Sequence, residues 1–65
     1  MSNQADPLRI RPGQIVRRRS GGSAWGVVVG VIFLERMEAL VRWRGAKEST
    51  FELVDGLVDA IQFLL

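Results

Sequence analysis

The sequence predicts an all-β domain in which five short strands curl into a small barrel that self-associates. Three observations carry this expectation. The residues from Ala24 to Phe33 include Val27, Val28, Val29, Val31 and Ile32, and such β-branched side chains favour strands. Turn signals recur at short intervals along the chain, with no long helical pattern and no internal repeat, as in small barrels. The chain has 65 residues with no Cys and no His. A domain of this size buries only about 60% of its unfolded surface and commonly needs a staple. Disulfides and thiolate or imidazole metal sites are excluded, so oligomerisation is the staple that remains.

Taken in order, residues 1–8 read as a disordered lead-in and residues 9–65 as the barrel domain. Pro12-Gly13 marks a turn. Gln14–Arg19 forms the first strand, and Ser20-Gly21-Gly22-Ser23 the loop after it. Ala24–Phe33 is the second strand. Val27, Val29, Val31 and Phe33 fall on one of its faces, Val28 and Ile32 on the other. Both faces are apolar, whereas a strand wetted on one side should alternate with polar residues. The second face is therefore expected to meet another subunit or to follow from a strong bend. Gly26 and Gly30 suit a bulge.

Leu34–Met37 connects to a third strand, Glu38–Trp43, with Ala39, Val41 and Trp43 on its core side. Arg44-Gly45-Ala46 is a tight turn. Glu48–Leu53 is the fourth strand, where Phe51 and Leu53 oppose Thr50 and Glu52. Val54-Asp55-Gly56 suits a turn of 3₁₀ helix, and Leu57–Ile61 a fifth strand. Leu53, Leu57, Ile61 and Leu64 also have helical spacing, which Gly56 opposes by about 1 kcal/mol relative to Ala. The end of the chain, Gln62–Leu65, is apolar. With Val28 and Ile32 on strand two, Phe63 and Leu64 are the expected subunit contacts.

The net charge of +2 comes from nine Lys+Arg against seven Asp+Glu. Its distribution is uneven. Residues 1–30 carry five arginines against Asp6, and residues 31–65 carry four basic against six acidic groups. Eight of the nine basic residues are Arg, the side chain suited to phosphate, carboxylate and aromatic partners. Arg17-Arg18-Arg19 is the densest cluster. If Val16 points inward, Arg18 lies on its side near the rim, and Arg17 and Arg19 point outward. Arg42 and Arg44 share a face with Leu40, and would join this patch if strands one and three lay close together. Glu48, Glu52, Asp55 and Asp59 read as solvent-facing charges. The Gly-rich loop lacks the Lys-Ser/Thr ending of a P-loop. The longest apolar run, Gly26–Leu34, is far short of the roughly 20 residues of a membrane helix. A soluble, cytoplasmic protein with no membrane partner and no cofactor is expected.

The series Gly13-Gln14-Ile15-Val16, the Gly-rich loop, Gly26-Val27-Val28, Leu40-Val41-Arg42-Trp43, Phe51 and Leu57 resembles the SH3-like barrels of KOW and Tudor-type domains. Within that class, Arg19-Ser20-Gly21-Gly22, the Trp43 strand and the Phe51…Leu57 pair resemble small bacterial and phage proteins of the YodC-like kind. That likeness implies a barrel and no activity. Val16–Gly30 also resembles, without a gap, a stretch of the plasmid-borne type II dihydrofolate reductases. The resemblance implies a homotetrameric pore with Arg18 in the place of the pore Lys, and Thr50 before Phe51-Glu52-Leu53-Val54 in the place of the working motif. There, Glu52 replaces the ligand-binding Gln and Val54 the Tyr. Four copies of Glu52 would repel one another and anionic NADPH and folate, so shared architecture is the favoured reading.

The expected function is a non-enzymatic binding module that takes a protein or nucleic-acid partner through Arg17, Arg18, Arg19, Trp25, Arg42 and Arg44. Trp25 sits where SH3-like barrels carry exposed recognition aromatics. Its alternative is packing in the core or an interface, the place expected for Trp43. A reductase-like pore enzyme and a structural assembly subunit, in either case a homo-oligomer, are the other readings. The size suits an accessory protein of phage or mobile-element origin.

Overall fold

The computed structural model describes residues 10–61. The N-terminal lead-in and the expected contacts Phe63 and Leu64 lie outside them. Five strands follow in the order expected: β1 (Ile15–Arg18), β2 (Trp25–Phe33), β3 (Met37–Trp43), β4 (Thr50–Leu53) and β5 (Leu57–Asp59). All neighbouring strands pair antiparallel. A single 3₁₀ turn, Val54–Gly56, precedes β5, and no α-helix occurs among the described residues. The helical spacing of the last segment is overridden because Leu57–Asp59 pairs with Arg18–Val16 of β1.

Two turns show why the punctuation lies where it does. The Gln14 amide donates to the Arg11 carbonyl at 3.1 Å around Pro12-Gly13, and the Ala46 amide donates to the Trp43 carbonyl at 2.9 Å around Arg44-Gly45. Gly13 and Gly45 have φ of +89° and +83°. Each occupies the third place of a type II turn, which side-chain-bearing residues avoid, and Pro12 presets the second.

The strand order across the sheet is β4-β3-β2-β1-β5. Its two edges, β4 and β5, are separated in sequence only by Val54–Gly56. A flat five-stranded sheet would hold its edges about 19 Å apart, whereas three residues of 3₁₀ helix span about 6 Å. The sheet therefore curls on itself, giving the all-β, barrel-like fold the sequence predicts. Contacts across the seam agree. The Arg19 amide donates to the Gly56 carbonyl at 2.8 Å, and Arg18 of β1 reaches Glu52 of β4 at 3.1 Å.

Inside the curl lie Ile10, Val16, Val28, Ala39, Val41, Trp43, Val54 and Leu57. Full burial of side chains such as Val16, Val41 and Leu57 stabilises the fold by roughly 1.5–3 kcal/mol each. Gly26 is required where β2 crosses this core. A Cβ there would lie 2.7 Å from both the Arg42 carbonyl oxygen and Val41 Cγ1.

Strand β2 departs from simple alternation. Its register against β3 shifts between Val28 and Gly30, the bulge that glycine in this strand foreshadowed. Before it, Val28 faces inward opposite Val41; after it, Val31 pairs with Ala39 on the core side. Val28 is thus 1% exposed and belongs to the protomer's own core, which corrects its assignment to a subunit contact. Ile32 does lie outside, at 41% exposure, but with Val27 and Val29 rather than with Val28. The extra residue at the bulge reverses the parity that strict alternation assigns.

Candidate binding face

The arginines named from the sequence separate into two groups. Arg18 follows the parity of buried Val16 and points toward the barrel's inner rim. Its guanidinium carbon lies 4.1 Å from the centre of the Trp43 ring, and its Nη2 donates to Glu52 Oε2 at 3.1 Å. Arg19 leaves the strand and donates through Nε to the Asp55 carbonyl at 2.9 Å. Both therefore tie the seam rather than contribute to an outer patch. Strand pairing explains this division, because β1 lies beside β5 and across the closure from β4.

The seam holds a compact polar cluster. Glu52 Oε2 accepts from the Thr50 hydroxyl at 2.7 Å, from Arg18 and from Trp43 Nε1 at 3.2 Å. The Glu52 side chain is 20% exposed. Burial alone pushes its carboxyl up, but hydrogen bonds from Thr50, Arg18 and Trp43 and the nearby Arg18 charge outweigh that and hold it below the usual value. Glu52 is thus a bonded structural charge rather than the solvent-facing one alternation implied. Asp59 differs in the same way: its Oδ2 accepts from Gln14 Nε2 at 3.0 Å. The reductase likeness draws on Arg18 and Glu52, and in this fold the two residues bind each other.

The second group lies on the outer face. Arg17 of β1 stands opposite Trp25 of β2. The Arg44 amide donates to the Trp25 carbonyl at 2.8 Å on the other side, so Arg17, Trp25 and Arg44 form a row across the sheet. Trp25 is 37% exposed, and the Arg44 guanidinium carbon lies 5.5 Å from its ring centre. Arg42 stands one step along β3, opposite Val27. Strands one and three are not paired, since β2 lies between them; on the outer face Trp25 is what lies between Arg17 and Arg44.

Trp25 forms a ridge between two clefts. One, of about 460 Å³, runs between Arg17, Ile15, Ile61 and the Gly22-Ser23-Ala24 loop. The other, of about 440 Å³, runs between Arg42, Arg44 and Ala46. Each is of the size that takes a small planar group. The Arg44–Trp25 contact joins an always-charged planar cation to an aromatic face, the pairing that suits both anions and stacked rings.

Sequence reading missed the Trp43–Thr50–Glu52 cluster and the outward turn of Phe51, which is 57% exposed. The only signal for the cluster was the Thr50/Glu52 alternation, and no spacing rule says which face of an edge strand turns inward. No helix among the described residues is long and apolar enough to cross a membrane. The chain is thus an all-β barrel-like domain with an aromatic–arginine row on one face. No protein-family model, characterised protein or solved structure matches it.

Proposed function

We propose that this protein is a non-enzymatic binding module that takes single-stranded nucleic acid on its outer face. The observation that carries this reading is the Arg17–Trp25–Arg44 row, with an exposed ring flanked by guanidinium groups and by a cleft on either side. A base stacks on Trp25 while the backbone phosphates run past Arg17, Arg42 and Arg44. Stacking of this kind contributes about 1–3 kcal/mol per base. Protein partners engage exposed Trp and Arg as well, but they do not need a line of cations along a polyanion's path.

The test is fluorescence anisotropy of a labelled oligonucleotide titrated with the protein at several salt concentrations. Trp25→Ala should weaken binding by about 1–3 kcal/mol. Three phosphate contacts predict a salt slope near −2 on logarithmic axes, and Arg42→Ala should lower its magnitude by about 0.7. No binding at low salt, or binding with no salt dependence, rejects the nucleic-acid reading and leaves a protein as the partner of the Trp25 row.

A further inference from the structure

The outer face of the sheet carries a second feature that the Trp25 row does not use. Beyond Arg42, it is apolar across three strands. Val29 and Ile32 of β2, and Phe51 and Leu53 of β4, are 53%, 41%, 57% and 41% exposed. Half-buried Leu40 of β3 lies between them, paired with Gly30 on one side and Phe51 on the other. Contiguous exposed apolar surface of this kind marks an interaction site.

The charges that frame it specify the occupant. Alternation places Glu38, Leu40 and Arg42 on the same outer face of β3. Glu38 is two residues before Leu40 and Arg42 two after it, each about 6.6 Å away along the strand. Among the described residues neither Glu38 nor Arg42 forms an ion pair. An acid, an apolar residue and a base in this order are self-complementary. A two-fold axis lying in the interface plane and crossing β3 at Leu40 runs the two β3 strands antiparallel. Glu38 then faces the partner copy's Arg42, and Arg42 the partner copy's Glu38. The same axis sets Phe51 against its own copy, because Phe51 pairs with Leu40. Ile32 pairs with Glu38 and Val27 with Arg42, so Ile32 faces the partner copy's Val27.

From this order we infer that the outer face is a homodimer interface, two sheets packed face to face about Leu40. This is isologous packing, in which one patch serves as its own partner. The outer face of a curled sheet is convex, so contact is confined to the region around Leu40. Arg17, Trp25 and Arg44 remain open at opposite ends of the dimer, whereas Arg42 and Val27, which line the cleft on one side of Trp25, are shared with the contact; the inference does not depend on what the Trp25 row binds. A small convex contact belongs to the weak, transient class of interfaces, so the dimer should form in the micromolar range.

The test is mass by light scattering on a sizing column, from low micromolar to near-millimolar protein, for the full chain and three variants. Wild type should pass from monomer to dimer over this range. Glu38→Arg and Arg42→Glu each place like charges opposite one another and should raise the dissociation constant about tenfold or more. The double variant Glu38→Arg/Arg42→Glu restores the opposite pairs and should recover dimerisation. Arg42 is exposed and Glu38 half-buried, and near-ultraviolet circular dichroism of the tryptophans checks that each variant is folded. Rescue by the double variant supports the inference. A wild type that stays monomeric overturns it, leaving the face to residues 62–65 or to a different protein. An oligomer indifferent to the single exchanges, or not rescued by the double one, also overturns it.

Discussion

Glu52 shows how one residue acquires its role from its neighbours. It accepts three hydrogen bonds at the seam, and its carboxyl is held below the usual value. A carboxyl whose pKa is lowered by folding adds stability that is complete above its unfolded pKa. That stability disappears as pH falls through the lowered folded value. Glu52→Gln should therefore cost about 1.5 kcal/mol at neutral pH, the lower end of the scale of hydrogen bonds to a charged group. The deficit should shrink in acid, where the wild-type carboxyl is protonated as well. Urea melts of both proteins across the acid range check this; a deficit that is constant with pH refutes it. Trp43, whose Nε1 also bonds Thr50 at 3.0 Å, keeps its indole N–H satisfied while its ring packs under Arg18. That arrangement lets a largely buried Trp sit at the rim.

At the scale of the element, β2 is decisive. Its run of valines is apolar on both faces, and the bulge between Val28 and Gly30 allocates them. A charge on either residue is equally conservative in sequence terms and opposite in consequence. Val28→Asp buries an uncompensated carboxylate and should unfold the domain or cost more than about 3 kcal/mol. Val29→Asp reaches solvent and should change monomer stability by about 0.5 kcal/mol. Thermal melts of the two variants at low protein concentration decide the matter, and equal losses would refute the register. Strand β4 makes the same point. Phe51 and Leu53 look like core residues beside Thr50 and Glu52, yet pairing with Leu40 and Glu38 turns them outward.

For the whole molecule, closure sets the pattern of stability. β2 is flanked by β1 and β3, whereas β4 and β5 are sheet edges joined across the seam by the 3₁₀ turn and by Arg18 and Arg19. Amide exchange should therefore be slowest around Val16, Val28 and Val41, approaching the global unfolding free energy, and faster in Thr50–Leu53. Hydrogen exchange followed by NMR measures this, and uniform protection across all five strands would contradict it. Closure also divides the arginines. Arg18 and Arg19 are drawn to the seam, and Arg17, Arg42 and Arg44 stay on the outer face around Trp25.

The sequence by itself determined the fold class, the number and order of the strands, the places of the Pro12-Gly13 and Arg44-Gly45 turns and the 3₁₀ turn. It also placed Trp43 in the core and a bend in β2 correctly. These features follow from local chemistry: β-branched side chains, the fixed φ of Pro12, and glycines that tolerate positive φ. Only the tertiary structure decided which faces turn inward. Val28 was read as a contact and is core. Glu52 was read as a solvent charge and binds Arg18 from the far side of the sheet, and the six-residue Arg/Trp cluster divides in two. The physical reason is common to all three. A bulge adds one residue to the two-residue period of a strand, and curling brings together strands that are distant in sheet order. Both effects depend on pairing between segments remote in sequence, which local spacing does not encode.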